Sequence, residues 1–154
     1  MKHRKFKKVE FNNKKKVFIL TYTSGLKIEC PYSALKINKK VIEAAPDKEV
    51  GGHSFYFVLE NGHKDYVPYD QPLHIVQNLE YVKHEILFEI TLQVNKIIKR
   101  SKISKRELAR RLNTSLSQLN RLLDTTNYNK ELSRFIEIAV ILEQEFEWKF
   151  KKAA

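Results

Sequence analysis

From Val17 to Val67 the apolar positions follow a period of two, which is the signature of half-buried strands. Val17-Phe18-Ile19-Leu20-Thr21-Tyr22 is a β-branched and aromatic run, Thr23-Ser24-Gly25 supplies a turn, and Leu26, Ile28 and Cys30 then alternate with Lys27 and Glu29. This predicts a hairpin ending at Pro31, which cannot donate to a ladder, with a short strand at Val41-Ile42 before Pro46. A second hairpin is predicted over Phe55–Glu60 and His63–Val67, joined by Asn61-Gly62, the dipeptide that most readily takes the positive-φ pair of a type I′ turn. Asp47 to Gly52 reads as a loop. The Lys14-Lys15-Lys16 triplet abuts the first strand as the turn of an additional hairpin begun by Val9 and Phe11.

The period changes after Pro68-Tyr69-Asp70-Gln71-Pro72. Between Leu79 and Arg100 there is neither Gly nor Pro, and Val82, Ile86, Ile90, Val94, Ile97 and Ile98 recur at helical spacing. The segment 68 to 78 is therefore the expected boundary between a β-rich domain, 1–72, and a helical domain, 73–154.

Further on, Ser104 and Glu107 have the spacing of a capping box, and Leu108, Ala109 and Leu112 give a short helix an apolar face. Asn113 tolerates a left-handed exit, and Ser115 or Thr114 can cap a second helix. In that helix Leu116, Leu119, Leu122 and Leu123 share one face. Ser117, Asn120 and Arg121 share the other, with Gln118 at its edge. Gln and Asn can pair with adenine and Arg with guanine in the major groove. Beyond Leu142, Phe146, Trp148 and Phe150 alternate with Glu147, Lys149 and Lys151, which predicts a closing strand that pairs with the N-terminal sheet or with its copy in a second subunit.

Composition narrows the class. The chain has 154 residues, 42% apolar and 31% charged, with four Gly and four Pro, the mix of a folded globular protein. With no apolar run near the roughly 20 residues that span a bilayer and no signal-type stretch at the start, a soluble cytoplasmic protein is expected. The single cysteine, Cys30, excludes an internal disulfide. The net charge of +11 is concentrated in two blocks, +7 over residues 1–16 and +8 over residues 95–123, where only Glu107 opposes nine cations. Clustered cations of this kind release counterions from nucleic acid.

Catalytic chemistry finds little purchase. His3, His53, His63, His74 and His84 are far apart, Ser54 beside His53 is not a nucleophile elbow, and no phosphate-cradling glycine loop is present. No enzyme activity, cofactor or metal is expected.

The stretch S-K-R-E-L-A-R-R-L-N-T-S-L-S-Q-L-N-R-L-L, residues 104–123, resembles the lambda-repressor/Cro-like (XRE) family of helix-turn-helix domains, and the likeness extends over about residues 85–144. Asn113 replaces the family's frequent turn glycine, and Leu116 stands where many members carry a polar DNA-contacting side chain. The resemblance implies a transcriptional regulator of repressor or antitoxin type, binding duplex DNA as a homodimer. It assigns Ser117, Gln118, Asn120 and Arg121 to bases or groove, and Lys105, Arg106, Thr114 and Ser115 to phosphates. Leu108, Ala109, Leu112, Leu119 and Leu122 are the expected core.

FILTYTSGLKIECPYSAL and GGHSFYFVLENG weakly resemble small bacterial β-rich domains of unknown function that precede such regulators, which implies a sensing, partner-binding or dimerising module. The expected fold class is α+β: a small N-terminal antiparallel β domain, a C-terminal helical bundle with a helix-turn-helix, and a final short strand. The alternative is a protein-interaction adaptor in which the β domain binds another protein and the helix pair is purely structural. A third reading is general RNA or nucleoid binding through the lysine-rich N-terminus.

Overall fold

The computed structural model describes residues 2–152. The chain divides into two compact units, Met1–Val82 and Lys83–Ala154, so the division falls inside the first turn of a long helix and not in the segment 68–78.

The first unit holds two antiparallel three-stranded sheets. One is a meander of β1 (Phe6–Asn12), β2 (Val17–Tyr22) and β3 (Lys27–Pro31). The other is a meander of β4 (Val41–Pro46), β5 (Ser54–Leu59) and β6 (Lys64–Pro68). Between the sheets the chain makes a 3-10 turn over Tyr32–Leu35. Alternation dictates which side of each strand is dry: Phe18, Leu20 and Tyr22 in β2 and Phe55, Phe57 and Leu59 in β5 are buried, while their sequence neighbours are half-buried. These rings meet in one core, with Phe18 against Phe55 at 5.1 Å and Phe6 against Tyr22 at 4.7 Å between centroids.

Strands β1 and β4 are joined at their ends and not by a ladder. The Phe6 N–H donates to the Gly52 carbonyl at 2.8 Å, and a Cβ at Gly52 would meet the Phe6 oxygen at 3.1 Å, so glycine permits this approach. At the other end the Asn13 side chain clamps Val41, donating to its carbonyl at 2.8 Å and accepting from its N–H at 3.0 Å. The Asn61-Gly62 turn differs from the expected type I′. Only Gly62 takes positive φ (82°), and Leu59 N–H bonds the His63 carbonyl at 2.9 Å, which makes a three-residue loop closed by a left-handed glycine.

A short helix α1 (Asp70–Ile75) follows β6, and then comes α2 (Leu79–Arg100). In the second unit α2 is succeeded by α3 (Lys105–Arg111), α4 (Leu116–Leu123) and α5 (Leu132–Ile141). Leu87, Val94 and Ile98 of α2 form a core with Leu108, Leu112, Leu119, Leu123, Phe135, Ile138 and Leu142. Among the described residues no helix is long and apolar enough to cross a membrane.

The expected fold class needs correction. The β region is two sheets, because Pro31 and the segment that follows it separate two self-contained meanders. The α+β arrangement of one small β domain and a helix-turn-helix bundle sealed by a final short strand is not what is found. After the sheets comes a run of helices, and residues 142–152 form neither strand nor helix. The alternation at Phe146, Trp148 and Phe150 has no backbone partner in either sheet, and a lone strand leaves its amides and carbonyls unpaired. Trp148 is 67% and Phe150 91% exposed, their ring centroids 4.9 Å apart.

Candidate nucleic-acid interface

The site is built on two short helices that fold for local reasons. Ser104, extended at φ −69°, ψ 155°, caps α3 by accepting the Glu107 N–H at 3.2 Å. Glu107 does not complete the reciprocal half of a capping box. Its carboxylate turns forward to Arg110 at 2.6 and 2.8 Å and to Arg111 at 2.9 Å. The Arg110 guanidinium, and then that of Arg111, hold the Glu107 carboxyl down to about 2. Two of the nine cations in the basic block are therefore committed within α3.

Leu112 closes α3, and Asn113 takes the left-handed conformation (φ 51°) at modest cost, since its short polar side chain tolerates that region. The Thr114 N–H returns to the Ala109 carbonyl at 3.0 Å, which satisfies one of the last carbonyls of α3. Ser115 then caps α4, accepting the Gln118 N–H at 3.1 Å. In α4, Leu119 and Leu123 are buried and Leu122 is half-buried. Leu116, expected on the same face, is 36% exposed at the rim.

The predicted contact residues are all placed on the outside of this pair. Lys105 and Arg106 are exposed on the first turn of α3, and Ser115, Ser117, Gln118, Asn120 and Arg121 are exposed on α4 or at its cap. Thr114 is half-buried and its hydroxyl donates to Gln118 Oε1 at 2.6 Å, which orients the amide before any ligand arrives. Ser117 and Arg121 point most directly away from Leu119, with Gln118 and Asn120 on opposite flanks of that face.

One side of the face borders a cleft of about 410 Å³, lined by Thr114, Gln118 and Arg121 from the helix pair and by Asn127, Lys130 and Arg134 beyond it. These last three carry no motif that marks them in the sequence. Asn127 donates to the Arg121 carbonyl at 3.0 Å and so fixes the exit from α4. Lys130 donates to the buried Thr91 hydroxyl at 2.9 Å and to the Asp124 carbonyl at 2.5 Å, and its ammonium lies 5.7 Å from the Phe135 ring centroid. Burial pushes its pKa below the ordinary lysine value. With Asn95 donating to the Leu123 carbonyl at 2.9 Å, these bonds tie α2 to the end of α4. The one sequence signal was a lysine just ahead of an apolar helix, which is too common to single out.

Among the described residues no group of three or more His, Cys, Asp or Glu is placed to hold a metal ion. His53 packs edge-on against Tyr69 at 6.1 Å, and His63 is exposed in its turn. Cys30 is buried, and burial pushes its thiol up to about 12, far from a reactive thiolate.

No family model, no curated protein and no solved structure matches the chain, so the likeness of residues 104–123 to the lambda-repressor/Cro-like family rests on those residues alone.

Proposed function

We propose that the chain is a DNA-binding transcriptional regulator that docks α4 into the major groove of duplex DNA. The observation that carries this reading is the chemistry of one face: Ser117, Gln118, Asn120 and Arg121 are exposed on a helix whose opposite side is anchored by fully buried Leu119. Arg121 would read guanine, and Gln118 and Asn120 adenine. Lys105, Arg106, Thr114 and Ser115 would hold the phosphates on either side, with the Ser115 hydroxyl still free to donate after accepting the Gln118 N–H. Kinship with the XRE regulators, a cytoplasmic location and binding as a homodimer go with this proposal. The exposed stripe Leu132, Ile136 and Val140 on α5 supports an apolar contact between copies.

The test begins by selecting bound duplexes from a random pool. Fluorescence anisotropy then compares the enriched duplex with a scrambled one over a salt series. The wild-type chain is expected to prefer the enriched duplex and to lose affinity steeply with salt, and Gln118→Ala with Arg121→Ala to erase the preference while lowering the salt slope by only about one.

A second reading, a protein-interaction adaptor, is favoured by Leu116, a 36% exposed apolar residue at the first turn of α4. Absence of duplex binding at low salt would leave that reading standing.

A further inference from the structure

We infer that the lysine-rich end of the β unit is a second anion site, built to bind phosphate groups and separate from the α3–α4 face. Two segments twenty or more residues apart converge there. One is the β1–β2 turn, residues 13–16, where the Lys15 N–H donates to Asn12 Oδ1 at 2.9 Å. The other is the loop 36–40 leading into β4. The Lys16 carbonyl accepts the Tyr32 N–H at 2.9 Å, the Ile37 N–H donates back to the Tyr32 carbonyl at 3.0 Å, and the Tyr32 hydroxyl donates to Asn13 Oδ1 at 3.2 Å. Turn and loop are thus fixed to a common post.

Between them lies a cavity of about 290 Å³ lined by Asn13, Lys16, Tyr32, Lys39, Lys40 and Glu60. Lys14 and Lys15 precede Lys16 in the same turn, and all five lysines are exposed. Glu60 is the one acid in the lining, and it accepts the Lys40 backbone N–H at 3.3 Å. Three ammonium groups on one rim repel one another, and packing does not require them. A phosphate, with acceptor oxygens on several sides, offsets that repulsion.

Phosphate can come from a nucleic-acid backbone or from a free phosphate or nucleotide, and one experiment separates the sources. The full chain, labelled with nitrogen-15, is titrated with a mixed-sequence 12-base-pair duplex and, separately, with inorganic phosphate, following the backbone amides. Saturating shifts at residues 13–16 and 37–40 are expected in at least one arm. Shifts with the duplex alone assign the polymer backbone as ligand, and shifts with inorganic phosphate assign a free anion. The variant K16Q/K39Q/K40Q should lose these shifts while keeping the parent's melting temperature, and K39Q/K40Q should lose most of them should the triple variant melt early. If the polymer is the ligand, the triple variant also lowers the log–log salt slope of duplex binding by about 2 to 3, near 0.9 for each lost lysine contact. Amides of residues 115–123 report the other face in the same spectra, so the two readings fail separately. No shift at 13–16 and 37–40 in either arm, or equal shifts in the triple variant, would overturn the phosphate site.

Discussion

The two basic regions have similar formal charge, +7 over residues 1–16 and +8 over residues 95–123, but they spend it differently. In the helical unit Arg110 and Arg111 are paired to Glu107, and Arg121 stands beside amide and hydroxyl groups that can discriminate bases. In the β unit the lysines occupy a strand, a turn and a loop, and the cavity they line holds two amide side chains, Asn38 and Asn13, the second of them committed to Val41 and Tyr32. Similar charge does not mean similar function. Point charges on flexible stems suit a phosphate without regard to sequence, whereas planar donors on a rigid helix suit a base edge.

The sharpest way to break the comparison is to damage each unit's core in turn. Phe18→Ala removes a fully buried ring at the centre of the sheets and should cost about 3–5 kcal/mol. Amide exchange in β2 and β5 should accelerate accordingly, with protection in α3 and α4 unchanged, and equal loss in both units would refute two separate cores. Leu119→Ala, also fully buried, should cost about 2–5 kcal/mol in the helical unit and abolish sequence preference along with it. Circular dichroism of the β unit's aromatic bands should stay constant.

Smaller effects sharpen the picture of the helix pair. Ser115→Ala removes the α4 cap and should cost about 1 kcal/mol, and Ser115→Gly only a few tenths, both read from chemical denaturation. The smallest effect is a pH dependence. Because Glu107 is held at about 2, against an ordinary value of 4.5, its contribution to α3 is complete above pH 4.5 and fades as pH falls toward 2. A carbon-13 titration of the Glu107 carboxyl should show this, and Glu107→Gln should remove the dependence; a midpoint near 4.5 would mean that the arginine contacts do not persist in solution.

Local signals in the sequence were read well where a single interaction decides the outcome. Ser104 and Ser115 as caps, Asn113 as the left-handed exit, and the alternation of Phe18, Leu20 and Tyr22 each depend on neighbours within a few residues. What the sequence concealed is non-local. Nothing in the run Phe146–Phe150 announces that it lacks a partner strand, since strand periodicity states what a segment can do and pairing depends on a free edge elsewhere. The way the two sheets are held together depends on the Asn13–Val41 clamp and the close approach at Gly52, contacts between segments about 28 and 46 residues apart. Of the candidate site, all eight residues could be assigned to a helix or turn in advance. The roles of Lys130, Arg134 and Asn127 could not, because the cleft exists only once the segment after α4 and the first turn of α5 have folded beside the helix pair.

Methylation interference on the enriched duplex tests the central claim most directly. Guanine N7 lies in the major groove, so prior methylation at one or two positions should block binding of the wild-type chain, and Arg121→Ala should erase the effect at its guanine while leaving binding to other sequences in place. Binding that is indifferent to N7 methylation at every guanine would contradict a helix seated in that groove.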